Sequence, residues 1–390
     1  MIKFAQRLEN TSEYYFSKKL REVKAMNEQG QKVLNLGVGS PDLSPPELVF
    51  SAFTQAMAKP KAFQYQSYLG IDELRESVAS FYQKTYQVNL ESTSEILPLM
   101  GSKEGIMLVS MAFLNPGDEV LIPQPGYPTY QAVTQLLEAQ PKFYSLSEDL
   151  DWHPDLEEIR KMDLSKVKMM WINYPNMPTG AKANRKKLQA LIDFALANNI
   201  ILVNDNPYSM ILTEDYFSIF QLKNASKIAL ELNSLSKSFN LAGCRVGFLT
   251  GNSLFIDAVL KVKTNMDSGM FYPIQKVAAQ VLQLEENWFK QLNITYQKRR
   301  ELIWEIADEL NLTYLKNTVG LFVWAKVSAG QKASAVANEL LYEAQVFVTP
   351  GKVFGDLNDE FLRFSLCVDK KQITEALRRI KQINVKHENL

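Results

Sequence analysis

Short apolar runs alternate with amphipathic stretches through the middle of the chain. Glu119-Val120-Leu121-Ile122-Pro123, Val167-Lys168-Met169-Met170-Trp171-Ile172-Asn173 and Ile200-Ile201-Leu202-Val203-Asn204 each have the length and composition of a buried strand. Between the last two, residues 185–198 place Leu188, Leu191, Ile192, Ala195 and Leu196 at helical spacing. This strand–helix–strand order predicts an α/β fold: a large domain with a mostly parallel sheet wrapped by helices. Ligands of such sheets sit beyond the carboxyl ends of the strands. Asp205 falls at one such end, and Lys237 follows another apolar run, Ile228-Ala229-Leu230-Glu231-Leu232.

The flanks follow a different pattern. Residues 285–310 form a long amphipathic stretch with Trp288, Leu292, Tyr296, Leu302, Ile303 and Ile306. Two strand candidates come after it, Gly320 to Ala325 and Glu360 to Leu366. One helical pattern, Lys332 to Ala344, lies between them, and another, Gln372 to Ile383, follows. The expectation is a smaller α+β domain made of residues 1–47 and 285–390, beside a large domain over residues 48–284.

Composition narrows the chemistry. The chain has 390 residues and 46% hydrophobic content, enough for a large core and about two to three domains. Lys plus Arg balance Asp plus Glu at 43 each, so nothing favours nucleic acid or an anionic membrane as a partner. With only His153 and His387, a histidine triad or multi-histidine metal site is disfavoured, and no metal is expected. Cys244 and Cys367 read as buried thiols of a reducing, cytoplasmic setting. The first residues have no apolar signal core, and no stretch is apolar enough to span a bilayer.

Several positions carry candidate chemistry. Lys237 sits in Ser234-Leu235-Ser236-Lys237, with Gly243 and Arg245 soon after. That setting suits a lysine that forms an imine with an aldehyde cofactor, though a solvated lysine would look alike. Met100-Gly101-Ser102-Lys103-Glu104-Gly105 is a small-residue turn before a helical pattern. It reads either as a phosphate cup or as a bare helix start. Asp205, in Asn204-Asp205-Asn206-Pro207-Tyr208, could pair with a ring nitrogen or cap a turn. Tyr174-Pro175-Asn176-Met177-Pro178-Thr179-Gly180 is a rigid turn. Arg363 lies inside an apolar strand and needs a partner, either an internal carboxylate or that of a substrate.

In this order, with Tyr127 in Gln124-Pro125-Gly126-Tyr127-Pro128, the succession resembles the class I/II aminotransferases of the pyridoxal-phosphate (PLP) fold type I enzymes. The resemblance runs from Gly37-Val38-Gly39-Ser40-Pro41-Asp42 to Arg363. It implies pyridoxal 5′-phosphate as cofactor and Lys237 as the imine-forming lysine that later moves the substrate proton. It makes Asp205 the partner of the pyridine nitrogen, Tyr208 a donor to the phenolate oxygen and Tyr127 the residue stacked on the ring. Gly101, Ser102, Lys103, Ser234, Ser236 and Arg245 match the phosphate ligands. Tyr65 matches a tyrosine that reaches the phosphate of a neighbouring subunit, which implies a homodimer. Arg363 would clamp the substrate carboxylate, with Gly39 against it.

One departure is clear. The family usually has asparagine directly before Pro-Thr-Gly, donating to the phenolate oxygen, and this chain has Met177. A thioether donates nothing, so Asn176 or Asn173 would substitute, or Tyr208 would act with a water. Asn206-Pro207 also departs from the usual pattern. The implied activity is amino transfer between an amino acid and a 2-oxo acid, with glutamate and 2-oxoglutarate as one pair. A carbon–sulfur β-lyase is the alternative, because the same fold hosts both. Thr264 to Phe271 is similar to the matching stretch of diaminopimelate aminotransferases, while aspartate, alanine, methionine and aromatic amino acids stay open. Tyr14, Tyr15 and Phe16 either line the side-chain pocket or anchor the amino-terminal segment.

Overall fold

Seven strands form one sheet in the order Ile96–Leu99, Gly247–Gly251, Ala229–Ser234, Ile201–Asp205, Val167–Ile172, Glu119–Gln124, Gln140–Ser145. All run parallel except Gly247–Gly251, which is antiparallel to both neighbours. The structure is a computed structural model describing residues 2–9, 11–357 and 359–388. The inner strand Ala229–Ser234 is buried along its whole length, as expected of a parallel strand covered on both faces.

The helix over Arg185–Asn198 forms where the apolar spacing places it. The Asn184 side chain caps it by accepting from the Lys187 N–H, and Asn199 ends it in the left-handed region at φ 54°. Two strands of this sheet escaped the sequence pattern. Gln140–Ser145 is a half-exposed edge strand whose alternation is weak, and Gly247–Gly251 has glycine at both ends.

A second, antiparallel sheet has the order Thr349–Pro350, Phe361–Ser365, Phe322–Lys326, Thr313–Tyr314. The helices Glu286–Glu309 and Lys370–Glu388 pack on each other. The long one buries Phe289, Leu292, Tyr296, Ile303 and Ile306. Leu34 and Asn35 pair in parallel with Val346 and Phe347, which ties the amino-terminal segment to this carboxy-terminal layer. The fold is thus a mostly parallel sheet wrapped by helices, joined to a smaller α+β part. Among the described residues, no helix is long and apolar enough to cross a membrane.

Candidate active site

A cavity of about 510 Å³ opens at the carboxyl ends of the parallel strands, closed on its other side by the smaller part of the fold. Asp205 ends one strand and Ser234 the next, and the short helix Leu235–Ser238 carries Lys237 into the cavity. Ser102, Lys103, Tyr127, Tyr208, Ser236 and Arg245 also line it. From the smaller part come Arg363, on the strand Phe361–Ser365, and the segment around Gly39.

Asp205 has one carboxylate oxygen bonded and the other without a partner. Its Oδ2 accepts from the Tyr130 hydroxyl at 2.8 Å, while Oδ1 is buried without a partner. Burial pushes its carboxyl up to about 6, against the pull of the Tyr130 hydrogen bond and the Lys237 charge. An orphaned, buried carboxylate oxygen in a cavity is a place for a protonated ring nitrogen. Burial lowers the Lys237 pKa, and the nearby Arg363 and Arg245 charges push it the same way. Its Nζ donates to the Gly39 carbonyl at 2.6 Å.

The start of the helix Ser102–Phe113 forms the phosphate end. Gly101 holds φ +90°, and a Cβ there would lie 2.2 Å from Arg245 Nη2, so only glycine admits the guanidinium this close. Arg245 is itself left-handed at φ 55° and is held by the Ala242 carbonyl at 3.0 Å. The Ser234 hydroxyl accepts from the Ser236 N–H at 3.1 Å, which fixes the turn that carries both serines. Lys103 lines the same cavity, and its ammonium rests 4.2 Å from the centre of the Tyr14 ring.

Arg363 has no carboxylate partner among the described residues. Nη2 donates to the Gly37 carbonyl at 2.8 Å, Nη1 meets the Met177 sulfur at 3.3 Å, and Nε is buried without a partner. The guanidinium lies over Phe322 at 4.0 Å, Phe354 at 4.4 Å and Phe16 at 5.4 Å from the ring centres. Burial lowers its pKa to about 10, still charged at neutral pH. A buried cation on apolar rings is completed only by an incoming anion.

The segment Gly37–Ser40 lies between these cations. A Cβ on Gly37 would meet the Phe347 ring at 2.7 Å, and one on Gly39 would meet Phe322 at 2.3 Å. Both glycines therefore let the backbone press flat on aromatic rings, with the carbonyls of residues 37 and 39 turned to Arg363 and Lys237.

The expectation that Asn176 or Asn173 supplies the missing amide is corrected by these positions. Asn176 does not line the cavity: its Oδ1 accepts from the Thr179 hydroxyl at 2.7 Å and its Nδ2 donates to the Asn173 carbonyl at 3.2 Å, both within its own turn. Asn173 does line it, yet its amide is committed to the Asp205 carbonyl and the Met177 N–H. Of Tyr14, Tyr15 and Phe16, only the first and last face the cavity. Tyr65 is 89% exposed and away from its own chain's cavity. Tyr130, Phe322 and Phe354 escaped the sequence reading. Tyr130 stands three residues after Tyr127, one helical turn on the same face, and that spacing was the available signal.

Comparison with known proteins fits this geometry. The family model for aminotransferase class I and II matches residues 31–380. An LL-diaminopimelate aminotransferase of Natranaerobius thermophilus is 38% identical, over 96% of this chain and 98% of its own. Another, of Aquifex aeolicus, is 35% identical over 99% and 100%. Among solved structures, apo-BacF from Bacillus subtilis superposes with a TM-score of 0.94 at 31% identity, covering 98% of this chain and 99% of its own. The aspartate aminotransferase of Thermotoga maritima gives 0.89 at 25% identity, covering 98% and 100%.

Proposed function

The chain belongs to the aminotransferase class I and II family, and on that premise we propose that it takes the amino group of an LL-diaminopimelate-type amino acid, with glutamate and 2-oxoglutarate as the second pair. The coarser statement is plain: it is a pyridoxal-phosphate-dependent transaminase of PLP fold type I. Bound pyridoxal 5′-phosphate supplies an electron sink for the charge left on the substrate α-carbon when its proton departs.

The protein's own residues do the rest in this reading. Asp205 would hold the ring nitrogen in its protonated form. Tyr127 would pack against the ring, and Tyr208 would donate to the phenolate oxygen. Gly101, Ser102, Ser234, Ser236 and Arg245 hold the phosphate through amides, hydroxyls and a guanidinium. Arg363 grips the substrate α-carboxylate with Gly39 beside it, and Lys237 Nζ moves the proton off the α-carbon. The observation that carries this is the buried Arg363, which lacks an anion in the same cavity as Lys237 and the bare Oδ1 of Asp205.

The diaminopimelate-type substrate draws support from the names of the relatives. It also draws support from Lys103, a second cation on the cavity wall for a substrate with a charged far end. The homodimer draws support from Phe63, Tyr65 and Met266, large apolar or aromatic side chains left exposed on two neighbouring loops. Phe63 packs on Phe271 at 5.6 Å, and Gly269 backs on the Gln66 carbonyl, so the two loops present one face. Tyr65 on that face would serve the neighbouring subunit's phosphate.

The test is an absorbance spectrum of the holoenzyme before and after single amino acids are added without acceptor. Conversion to the pyridoxamine form by diaminopimelate and by glutamate, but not by aromatic amino acids, is the expected outcome. Conversion by aromatic amino acids alone would overturn the substrate. Pyruvate and ammonia accumulating from a cysteine conjugate without acceptor would favour the β-lyase.

A further inference from the structure

Asp205 lines the cavity, and one of its two oxygens, Oδ1, is buried without a hydrogen-bond partner. The other is taken by Tyr130, whose hydroxyl lies 2.8 Å from Oδ2. Tyr130 is fully buried, in the first turn of the helix Pro128–Leu136. Its ring stacks on Trp171 at 4.8 Å with an interplanar angle of 4°, and meets Tyr127 edge-on at 5.6 Å. Trp171 pairs with Val203 on the strand that ends at Asp205. The hydroxyl is therefore aimed from a rigid base rather than from a mobile loop.

We propose that Tyr130 is a positioning residue that acts on the cofactor's ring nitrogen through Asp205, by fixing the carboxylate so that Oδ1 alone is left unpartnered in the wall of the cavity. The inference rests on the reading of Asp205 as the partner of that nitrogen. A carboxylate can rotate about its Cβ–Cγ bond, and a buried one with no donor gains by turning away or by taking up a proton. One short hydrogen bond to Oδ2 opposes both. It anchors the rotation and stabilises the anion, and the lone pairs of Oδ1 are left for the ring N–H.

The main chain around Asp205 is pinned as well. Its carbonyl accepts from the Asn173 amide, and the next N–H, that of Asn206, donates to the Leu232 carbonyl at 2.8 Å. The side-chain torsion is thus the remaining freedom, and Tyr130 removes it. Burial and the nearby Asp205 charge raise the Tyr130 phenol well above its ordinary range, so it stays a donor at working pH.

Tyr130→Phe removes one oxygen and keeps the ring stack on Trp171, so the fold is retained. The experiment measures dissociation constants of the cofactor-stripped protein for pyridoxal 5′-phosphate and for its analogue with carbon in place of the ring nitrogen. Wild type should prefer the natural cofactor. In Tyr130→Phe that preference should shrink about tenfold or more, the loss of a charge-assisted hydrogen bond. Affinity for the carbon analogue should stay within about twofold.

A purely structural role would weaken both ligands alike, and that result would overturn the proposal. An unchanged preference in Tyr130→Phe would overturn it too. A wild type that does not discriminate the two ligands would instead defeat the role of Asp205, and Tyr130 with it. Asp205→Asn provides the cross-check: in that background, Tyr130→Phe should leave the preference where it is.

Discussion

Replacing Arg363 by lysine separates the geometry of this site from its charge. The guanidinium has one N–H group on the Gly37 carbonyl, another on the Met177 sulfur and an unpartnered Nε, all above the Phe322 and Phe354 rings. A bound carboxylate can therefore be met by two parallel N–H groups. Lysine keeps the charge as a compact ammonium and loses the fork. One charge-assisted hydrogen bond is worth about 1.5–3 kcal/mol. The expected loss in kcat/KM for the amino acid is then roughly 10- to 150-fold. Arg363→Met removes the charge and leaves the substrate carboxylate buried alone, a loss of about 3–5 kcal/mol. The assay follows the cofactor absorbance in a single half-reaction, using the amino acid and the amine that lacks its carboxylate. The amino acid should suffer these losses, while the amine should change by less than about threefold. Equal losses for both would refute the assignment, because only one of them carries the group that Arg363 is meant to hold.

Lys237→Ala should abolish the visible absorbance of the bound cofactor and nearly all turnover while circular dichroism stays unchanged; transamination by the variant would defeat the role given to Lys237. Met177→Asn adds an amide where Asn173 and Asn176 are both committed elsewhere. It should lower the pH at which the cofactor's visible absorbance changes, and a midpoint that stays or rises would count against it. Burial raises the Asp205 carboxyl from its ordinary 3.8 to about 6, a difference worth roughly 3 kcal/mol. A raised carboxyl pKa supports the fold below the ordinary value, and that support is lost as pH rises through about 6. Asp205→Asn should therefore make the cofactor-free protein up to roughly 3 kcal/mol more stable than wild type near pH 8. It should also weaken cofactor binding; denaturant titrations of both forms at about pH 5 and pH 8 check the sign.

The sequence made the central strands legible because parallel strands buried on both faces leave continuous apolar runs, and those runs placed Asp205 and Lys237 at strand ends. It was less informative where a side chain's direction mattered. Nothing in the order Asn173, Asn176, Met177 says which amide faces the cavity, since hydrogen bonds inside a cis-proline turn decide it. Tyr130 looks like any apolar position of an amphipathic helix until the Asp205 side chain is seen above it. The edge strand Gln140–Ser145 was unreadable because one face of it is wet. The apolar strand around Arg363 showed that a charge there needed a partner. Only the assembled fold showed that, among the described residues, no internal carboxylate is placed to supply one.

The backbone carbonyls of Gly37 and Gly39 link what would otherwise be two separate binding events. One carbonyl holds Arg363, the cation proposed to clamp the substrate, and the other, two residues on, holds Lys237, the lysine proposed to meet the cofactor. A ligand that frees either cation changes the hold of the shared segment on the other. The coupling free energy between two such sites is reciprocal. Whatever factor the cofactor adds to carboxylate affinity, a bound carboxylate must add to cofactor affinity. In a transaminase with this strap, the hold on the cofactor would therefore change by that same factor when a substrate carboxylate is seated.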